Sequence, residues 1–535
     1  MSAPYDVIVL GLGPVGCSAA ILLAHAGLKV AAFERDREVY KLPRAVNMDG
    51  EVIRSFQRIG LGEELNALMQ PIRAGERVGF VNSQREWLFG QEPRPFGVNG
   101  WNDNSFFDQP EVDGFLRDTA LAHPNVDAYI GYEVLEFSER APSKQMNAVE
   151  VRAEEIGAST PGAVLSIEGS YLIGCDGASS FVRKSLNIGW HDLGYDHDWL
   201  VVDIISKPGN TLNVETVQIC DPDRLATYVC TKDPYRRWEF KLNAGETWEE
   251  MLEPAKIEAL IEAWTPKGTY EIRRAAMYQF HAATADTWRA GRIFIAGDAA
   301  HQTPPFLGQG MNAGMRDVIN LCWKLPMVIS GVAGDALLDS YQAERLAHAT
   351  DLVEWAVSIG RLMEHLAAVE AAARAGRPAP EAEPAQQSSG YGQGRTQPPM
   401  RDGLIHIDQV SDKGSTGYLF RQPDVRDASG AKCRLDEILG SGFSIVARTG
   451  ADLTLSAQSR QLLDLLGAQC VTLDELEPVR GRFDQLFERS AAAVVRPDRY
   501  VFGHTSDTVT LDALITELGD ALALTRAVQS PPETA

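Results

Sequence analysis

The sequence predicts an α/β protein. A parallel sheet covered by helices is interleaved with an antiparallel sheet, and a further globular region follows. Three observations carry this. The chain opens on an apolar run, a glycine turn, an Ala- and Leu-rich stretch and a second apolar run, the pattern of a βαβ unit with parallel strands. Two later apolar runs, each ending in a glycine turn, repeat the strand of that unit. Between about 190 and 285 the pattern changes to alternating strands, as in an antiparallel sheet with one covered face.

In chain order, Tyr5–Leu10 is a buried strand and Gly11–Gly16 a turn. Pro14–His25 is a helix closed by Gly27, and Lys29–Phe33 a second strand. Tyr171–Cys175 and Arg292–Ala296 are further short strands, while Leu225–Thr231 and Arg237–Leu242 belong to the alternating region. Gln309–Ile329 reads as a long helix that Pro326 should kink or end. Asp339 to about Ala375 is a second helical region. Arg377–Pro399 is rich in Pro, Ala, Gln, Gly and Ser and reads as a linker, after which globular patterning resumes near Gly403.

With 535 residues, 44% hydrophobic and 23% charged, the chain falls in the soluble globular range and is neither wholly disordered nor fibrous. Fifty basic and 73 acidic residues give 50 − 73 = −23, with no basic run, which argues against nucleic acid or an anionic membrane as partner. Seven cysteines without a Cys-x-x-Cys are expected to be reduced thiols of a cytoplasmic protein, with no metal site. Met1–Val7 lacks the basic start of a secretory signal, and no run reaches the ~20 apolar residues of a membrane helix.

The turn Gly11-Leu12-Gly13-Pro14-Val15-Gly16 joins a predicted strand to a predicted helix. Gly11 permits the tight turn, Gly13 lets a pyrophosphate approach the backbone, and Gly16 allows close helix–strand packing. The helix N-terminus then offers its partial positive charge to phosphates. Glu34, followed by Arg35, ends the second strand, where a carboxylate can bind a ribose. The alternative is a glycine turn that binds nothing. Two further motifs, Gly174-Cys175-Asp176-Gly177-Ala178-Ser179-Ser180 and Gly297-Asp298-Ala299-Ala300-His301, each set an Asp just after an apolar strand. Ligands of parallel sheets bind at the carboxyl ends of strands, so the three turns should converge on one cofactor. Gly308-Gln309-Gly310 opens the long helix and can turn free N–H groups toward an anion.

In this order the motifs resemble the flavoprotein aromatic hydroxylases, the single-component class A FAD-dependent monooxygenases. Pro43-Arg44-Ala45, Gln109 in Phe107-Asp108-Gln109-Pro110, Trp323-Lys324-Leu325 and Tyr341-Gln342-Ala343-Glu344-Arg345 agree, over about residues 5 to 350. Phe107–Ala120, Leu200–Ile204 and Gly308–Asp317 are similar to the 3-(3-hydroxyphenyl)propionate hydroxylase group. Ala493–Val501 resembles the thioredoxin-like C-terminal domain these enzymes often carry. Cys433 and Cys470 stand far apart in sequence, so that domain would be structural, or a dimer contact.

The resemblance implies a Rossmann-like FAD-binding domain at 1–190 and 285–376, interleaved with an antiparallel substrate domain at 191–284. It further implies a linker at 377–402 and a thioredoxin-like domain at 403–535. Gly11, Gly13, Pro14, Gly16, Glu34 and Arg35 would hold the ADP half of FAD, and Arg44 and Gln109 the flavin side or its phosphates. Asp176 would serve FAD and the nicotinamide, and Asp298 the ribityl chain. Gly308, Gln309, Gly310, Met311 and Asn312 would meet the flavin, the last three at its pyrimidine end, with Pro305 near flavin and substrate. NADH or NADPH would reduce the flavin, a C4a-hydroperoxide would form with O2, and a phenol would become a catechol.

Pocket candidates are Tyr228, Arg237, Trp238, Tyr278 and His281. Trp238 and Tyr278 are core or pocket, Arg237 is a carboxylate anchor or a surface charge, and His281 is a proton carrier or a packing residue. His301 contacts the cofactor loop or orients it. The expected partners are a small phenol and O2, with a homodimer as the assembly. Rival readings are a hydroxylase of another phenol (a resorcinol, a nitrophenol or a polyketide) and a non-catalytic FAD-binding protein. A flavin-dependent halogenase would carry a Trp-x-Trp-x-Ile-Pro signature, which is absent. The tail can also be read as an interaction module.

Overall fold

The computed structural model describes residues 5–139, 149–157, 164–381, 397–411 and 415–524; residues 382–396 of the expected linker fall outside them. The first sheet runs, in spatial order, Arg289–Ala290, Ile293–Ile295, Val164–Gly174, Tyr5–Leu10, Val30–Glu34 and Val126–Ile130. From Ile293–Ile295 to Val126–Ile130 its strands are parallel. These strands are apolar because helices cover the sheet, as parallel sheets require. The register brings Leu10, Gly174 and Ile295 level, so the three glycine turns start side by side. Helix α1, Pro14–His25, follows the first turn. Helix α2, Gly310–Ile329, packs along it. Pro326 lies inside α2, which continues to Ile329 before it ends. Helix α3, Asp339–Arg374, is 36 residues long.

The second sheet is ordered His301–Gln302, Tyr270–Ala285, Trp190–Ser206, Tyr235–Lys241, Ala226–Val229, Glu215–Ile219, Arg77–Val81 and Trp87–Gln91. All neighbours are antiparallel except Glu215–Ile219 with Arg77–Val81, which are parallel. Strands Arg77–Val81 and Trp87–Gln91 thus join this sheet from a stretch grouped by sequence with the first domain. Its outer face packs Leu200, Val202, Tyr228, Trp238 and Phe240 against Met251, Ile257 and Ile261. Its inner face packs Phe80, Tyr195 and Trp199 against Phe306 and against Val353, Val357 and Met363 of α3.

The C-terminal region has a four-stranded sheet ordered Gln469–Thr472, Ser444–Ala447, Ala492–Val495 and Val501–His504. Its first pair is parallel and the rest antiparallel. Trp323, Ala333 and Leu337 join its core, so the far end of α2 is buried in it. Buried charges reinforce the junction. Arg496 pairs with Glu344 of α3 at 2.7 Å and with Asp498 at 2.6 Å, and Lys324 of α2 donates to the same Glu344 at 2.7 Å. Tyr500 donates to Glu51 at 3.1 Å, which in turn accepts from Arg316 of α2 at 2.6 Å. Asp436 accepts two bonds from Arg54, at 2.8 and 2.7 Å.

Candidate cofactor and substrate site

Each glycine of the first turn does a different job. Gly11 has φ +90°, and a Cβ there would lie 2.5 Å from the carbonyl of Cys175. A Cβ on Gly16 would lie 1.8 Å from the carbonyl of Gly11. Both glycines are demanded by backbone packing. Gly13 has ordinary extended backbone, and a Cβ there would meet nothing within 4 Å. It is the N-cap of α1 and supplies no side-chain cap, so the first-turn N–H groups face open space. Glu34 accepts from Leu12 N at 2.7 Å and from Asp36 N at 2.8 Å, which holds its carboxylate against the turn. Arg35 lies in solvent, 3.8 Å from Asp36.

The second turn is braced by Asp176, which accepts from the Ser180 hydroxyl at 2.6 Å and from Val182 N at 3.0 Å. In the third, Asp298 is exposed beside buried Gly297 and Ala299. Buried Asp317 of α2 organises this turn by accepting from Gly297 N at 3.0 Å and from Arg345 at 2.9 Å. It also pairs with His301 Nε2 at 2.9 Å. Burial alone would raise Asp317, but His301, Arg345 and the Gly297 N–H hold it below the usual carboxylate range. His301 stacks on Trp288. Its contacts orient the loop.

Turn Pro305–Leu307 leads through Gly308, φ +62°, to Gln309, the N-cap of α2, again without a side-chain cap. Met311 is half-buried in the first turn of α2, and Gly310 faces open space, with nothing within 4 Å of an added Cβ. Asn312 accepts from Asp49 N at 3.1 Å and donates to Asn47 O at 3.3 Å and Gly308 O at 3.0 Å, which locks the approach to the helix. Gln109 accepts from Arg44 N at 2.6 Å and Ala45 N at 2.7 Å, so its carbonyl is spent on holding that loop. Burial pushes its neighbour Asp113 up to about 7, against the pull of Gln109 and Arg44. The Arg44 guanidinium lies 4.7 Å from the centre of the Tyr40 ring and pairs with no carboxylate among the described residues.

Strand alternation sorts the pocket candidates. Arg237 is on the inner face, paired with Asp203 at 2.7 and 3.0 Å, and donates to the carbonyls of Arg44 at 2.6 Å and Pro43 at 2.8 Å. It is a buried clamp between sheet and loop, neither a surface charge nor a free anchor for a substrate carboxylate. Tyr228 and Trp238 point the other way, into the outer core, where the Tyr228 hydroxyl donates to Asn213 O at 2.9 Å. Both are packing residues. Tyr278 is half-buried on the inner face, with Arg274 over its ring. His281 falls on the opposite face from Tyr278, beside Asp196 at 3.6 Å, with a side chain 43% exposed. A residue three positions along a strand cannot share the face, so the structure does not bring His281 to the pocket.

Comparison with known proteins agrees with this geometry. The FAD binding domain model matches residues 4–356. The chain belongs to the flavoprotein aromatic hydroxylases. A 3-(3-hydroxy-phenyl)propionate/3-hydroxycinnamic acid hydroxylase of Mycobacterium sp. (strain JLS) is 33% identical over 84% of this chain and 78% of its own. One of Klebsiella pneumoniae (strain 342) is 30% identical over 97% and 95%. A "probable NADH-specific resorcinol 4-hydroxylase" of Rhodococcus jostii (strain RHA1) is 32% identical over 97% and 95%. The fold matches aklavinone-11 hydroxylase, solved with FAD and aklavinone, at TM-score 0.78 and 24% identity over 98% of this chain and 100% of that one. The HcaD C-terminal domain model matches residues 417–521.

The hydroxylase has the features FAD requires: the open space over Gly13, two uncapped helix N-termini, exposed Asp298 and the unpaired Arg44 guanidinium. Residues that sequence reading passed over are Asp203, Glu239, Asp317 and Asn47. A signal existed for two of them. Asp203 interrupts Leu200-Val201-Val202-Asp203-Ile204-Ile205, and Glu239 sits between Trp238 and Phe240. A lone acid in an apolar strand has to be explained by a partner or a ligand.

Proposed function

We propose that the hydroxylase uses NADH and O2 to add one oxygen atom to the ring of a phenolic acid, 3-(3-hydroxyphenyl)propionate or a close analogue, giving a catechol. The carrying observation is the match over 97% of the chain to a relative named for that substrate. The name of the Rhodococcus jostii relative supports NADH as donor. FAD, when bound, supplies the redox chemistry. The chain's own groups then divide the work. Gly13 and the first turn of α1 receive the pyrophosphate with Arg44 nearby, Glu34 takes the ribose, and Asp298 takes a ribityl hydroxyl. The first-turn amides of α2 offset negative charge at the pyrimidine end. The Pro305–Leu307 turn and the aromatic inner face, Trp199 against Phe306 at 5.4 Å, exclude water from the ring.

The FAD-binding part spans 1–190 and 285–376 around the 191–284 substrate sheet, with strands 77–91 completing that sheet. We read the C-terminal region as thioredoxin-like, on its parallel-then-antiparallel strand order, and the working form as a homodimer in the cytosol. Among the described residues no helix is long and apolar enough to cross a membrane. The test is mass spectrometry of the product from protein, NADH, O2 and 3-(3-hydroxyphenyl)propionate. A product heavier by one oxygen supports the reading; NADH oxidation that releases only hydrogen peroxide rejects this substrate. Resorcinol hydroxylation is the second reading, favoured by the Rhodococcus jostii relative, and the same assay with resorcinol separates the two.

A further inference from the structure

Along strand Tyr235–Lys241, inner-face residues alternate as Arg237, Glu239 and Lys241. Two of these are spent. Arg237 holds the Pro43–Arg44 loop, and Lys241 donates to Glu364 of α3 at 2.5 Å. Glu239 lies between them. It is only 5% exposed and makes no hydrogen bond to any described residue. Its cross-strand neighbours are Val201 and Thr227. Thr227 donates to Gln218 at 2.7 Å, and Gln218 donates to the carbonyl of Phe306 at 3.3 Å. The carboxylate therefore lies in a row that ends on the Pro305–Leu307 turn, and one step from the residue that grips the Arg44 loop. These are the two loops expected to flank the flavin. Trp199, one pair along on the same face, is buried with its indole N–H beside the Tyr195 hydroxyl. An unpartnered acceptor thus stands on the inner face, and a buried carboxylate is not left unpaired without cause.

We infer that Glu239 contacts the phenolic hydroxyl of the substrate and takes its proton. This rests on the phenol reading above. The phenol O–H bond breaks, an O–H bond forms on Glu239, and the electron pair stays on the phenolate oxygen, where it enriches the ortho carbon to be hydroxylated. Burial raises Glu239 to about 7 against the pull of Arg237, with Asp203 adding to the rise. The other charged or titratable groups on the surrounding elements include Lys241, Arg274, Tyr278, Tyr195, His197, Arg44 and Glu364.

The test uses the FAD-loaded enzyme with NADH, O2 and either 3-(3-hydroxyphenyl)propionate or resorcinol, followed by product formed per second and per NADH across pH. Glu239→Gln is expected to keep FAD but to form product about 100-fold more slowly. It should also lose the rise in product rate that wild type shows near pH 7, and Glu239→Asp should recover part of both. Wild-type product with an E239Q rate and pH profile like wild type overturns the inference alone. No product from wild type with either phenol overturns the substrate reading and this inference with it. If E239Q fails to hold FAD, the wild-type profile decides: no ionisation near pH 7 overturns the assignment.

Discussion

At the scale of single residues, position within the glycine turn separates folding from binding. Gly13 has backbone that any residue adopts and open space where a side chain would stand. Gly13→Val should cost the apoprotein no more than about 1 kcal/mol, the penalty of a poor N-cap residue, yet purify without its yellow colour. Gly16→Ala drives a methyl into the Gly11 carbonyl and should cost about 1–3 kcal/mol or more even without FAD. Denaturation of both apoproteins, beside flavin absorbance, distinguishes the two. Glu239 makes a pH prediction. Its folded form holds a proton more tightly than an ordinary glutamate does, because burial raises it to about 7. The stability it contributes is therefore complete below the ordinary glutamate range and lost as pH rises through about 7. The melting temperature of Glu239→Gln relative to wild type should climb between about pH 5 and pH 8, by a stability difference of at most about 3 kcal/mol. A flat difference would refute the assigned burial.

At the scale of elements, α2 carries most of the site's precision. Asn312, Arg316, Asp317, Asn320 and Lys324 are all buried, though a helix with so many polar residues would ordinarily turn some to water. Each finds a partner on another element: Asn312 on the Asn47 and Gly308 segments, Arg316 on Glu51, Asp317 on Arg345, Asn320 and Lys324 on Glu344. Asp317→Asn removes the charge that pairs with buried Arg345, and should destabilise the protein by about 3–5 kcal/mol. It should also weaken FAD retention, since Asp317 holds the Gly297 N–H of the Asp298 turn. Normal flavin content in a stable D317N protein would contradict this. The alternation of the strands was legible in the sequence, but the face they bury was not. Period two places Tyr228, Trp238 and Phe240 together, yet only the packing of Met251 and Ile257 on that side reveals it as the outer core.

At the scale of the whole molecule, the C-terminal region is bound into the enzyme by charge as well as by packing. Arg496-Pro497-Asp498-Arg499-Tyr500 sends Arg496 to Glu344, Asp498 to Trp323 and Tyr500 to Glu51. Burial would raise Glu344, but Arg496 and Lys324 hold it far below the usual carboxylate range. Arg496→Ala leaves that carboxylate with Lys324 as its charged partner, beside the neutral donors Asn320 and Leu404 N, and should cost about 3–5 kcal/mol. Deletion after Arg401 exposes Trp323 and strands several buried charges. It should yield aggregated protein without flavin, read by gel filtration and absorbance. A soluble, flavin-bearing product would restore the tail as an independent interaction module.

The three strand-end motifs by themselves determined the parallel sheet, and their order carried the resemblance that implies FAD, because backbone turns and helix N-termini are local and their glycines report them directly. Which side chains the inner face of the antiparallel sheet presents was decided only by the tertiary structure. Arg237 reads as a free cation in the chain and becomes a clamp once Asp203 and the Pro43 carbonyl stand opposite it, while His281 turns outward by strand parity. Side-chain roles on a sheet depend on which face is covered and on partners far away in sequence. Neither is encoded in the spacing of the residues themselves.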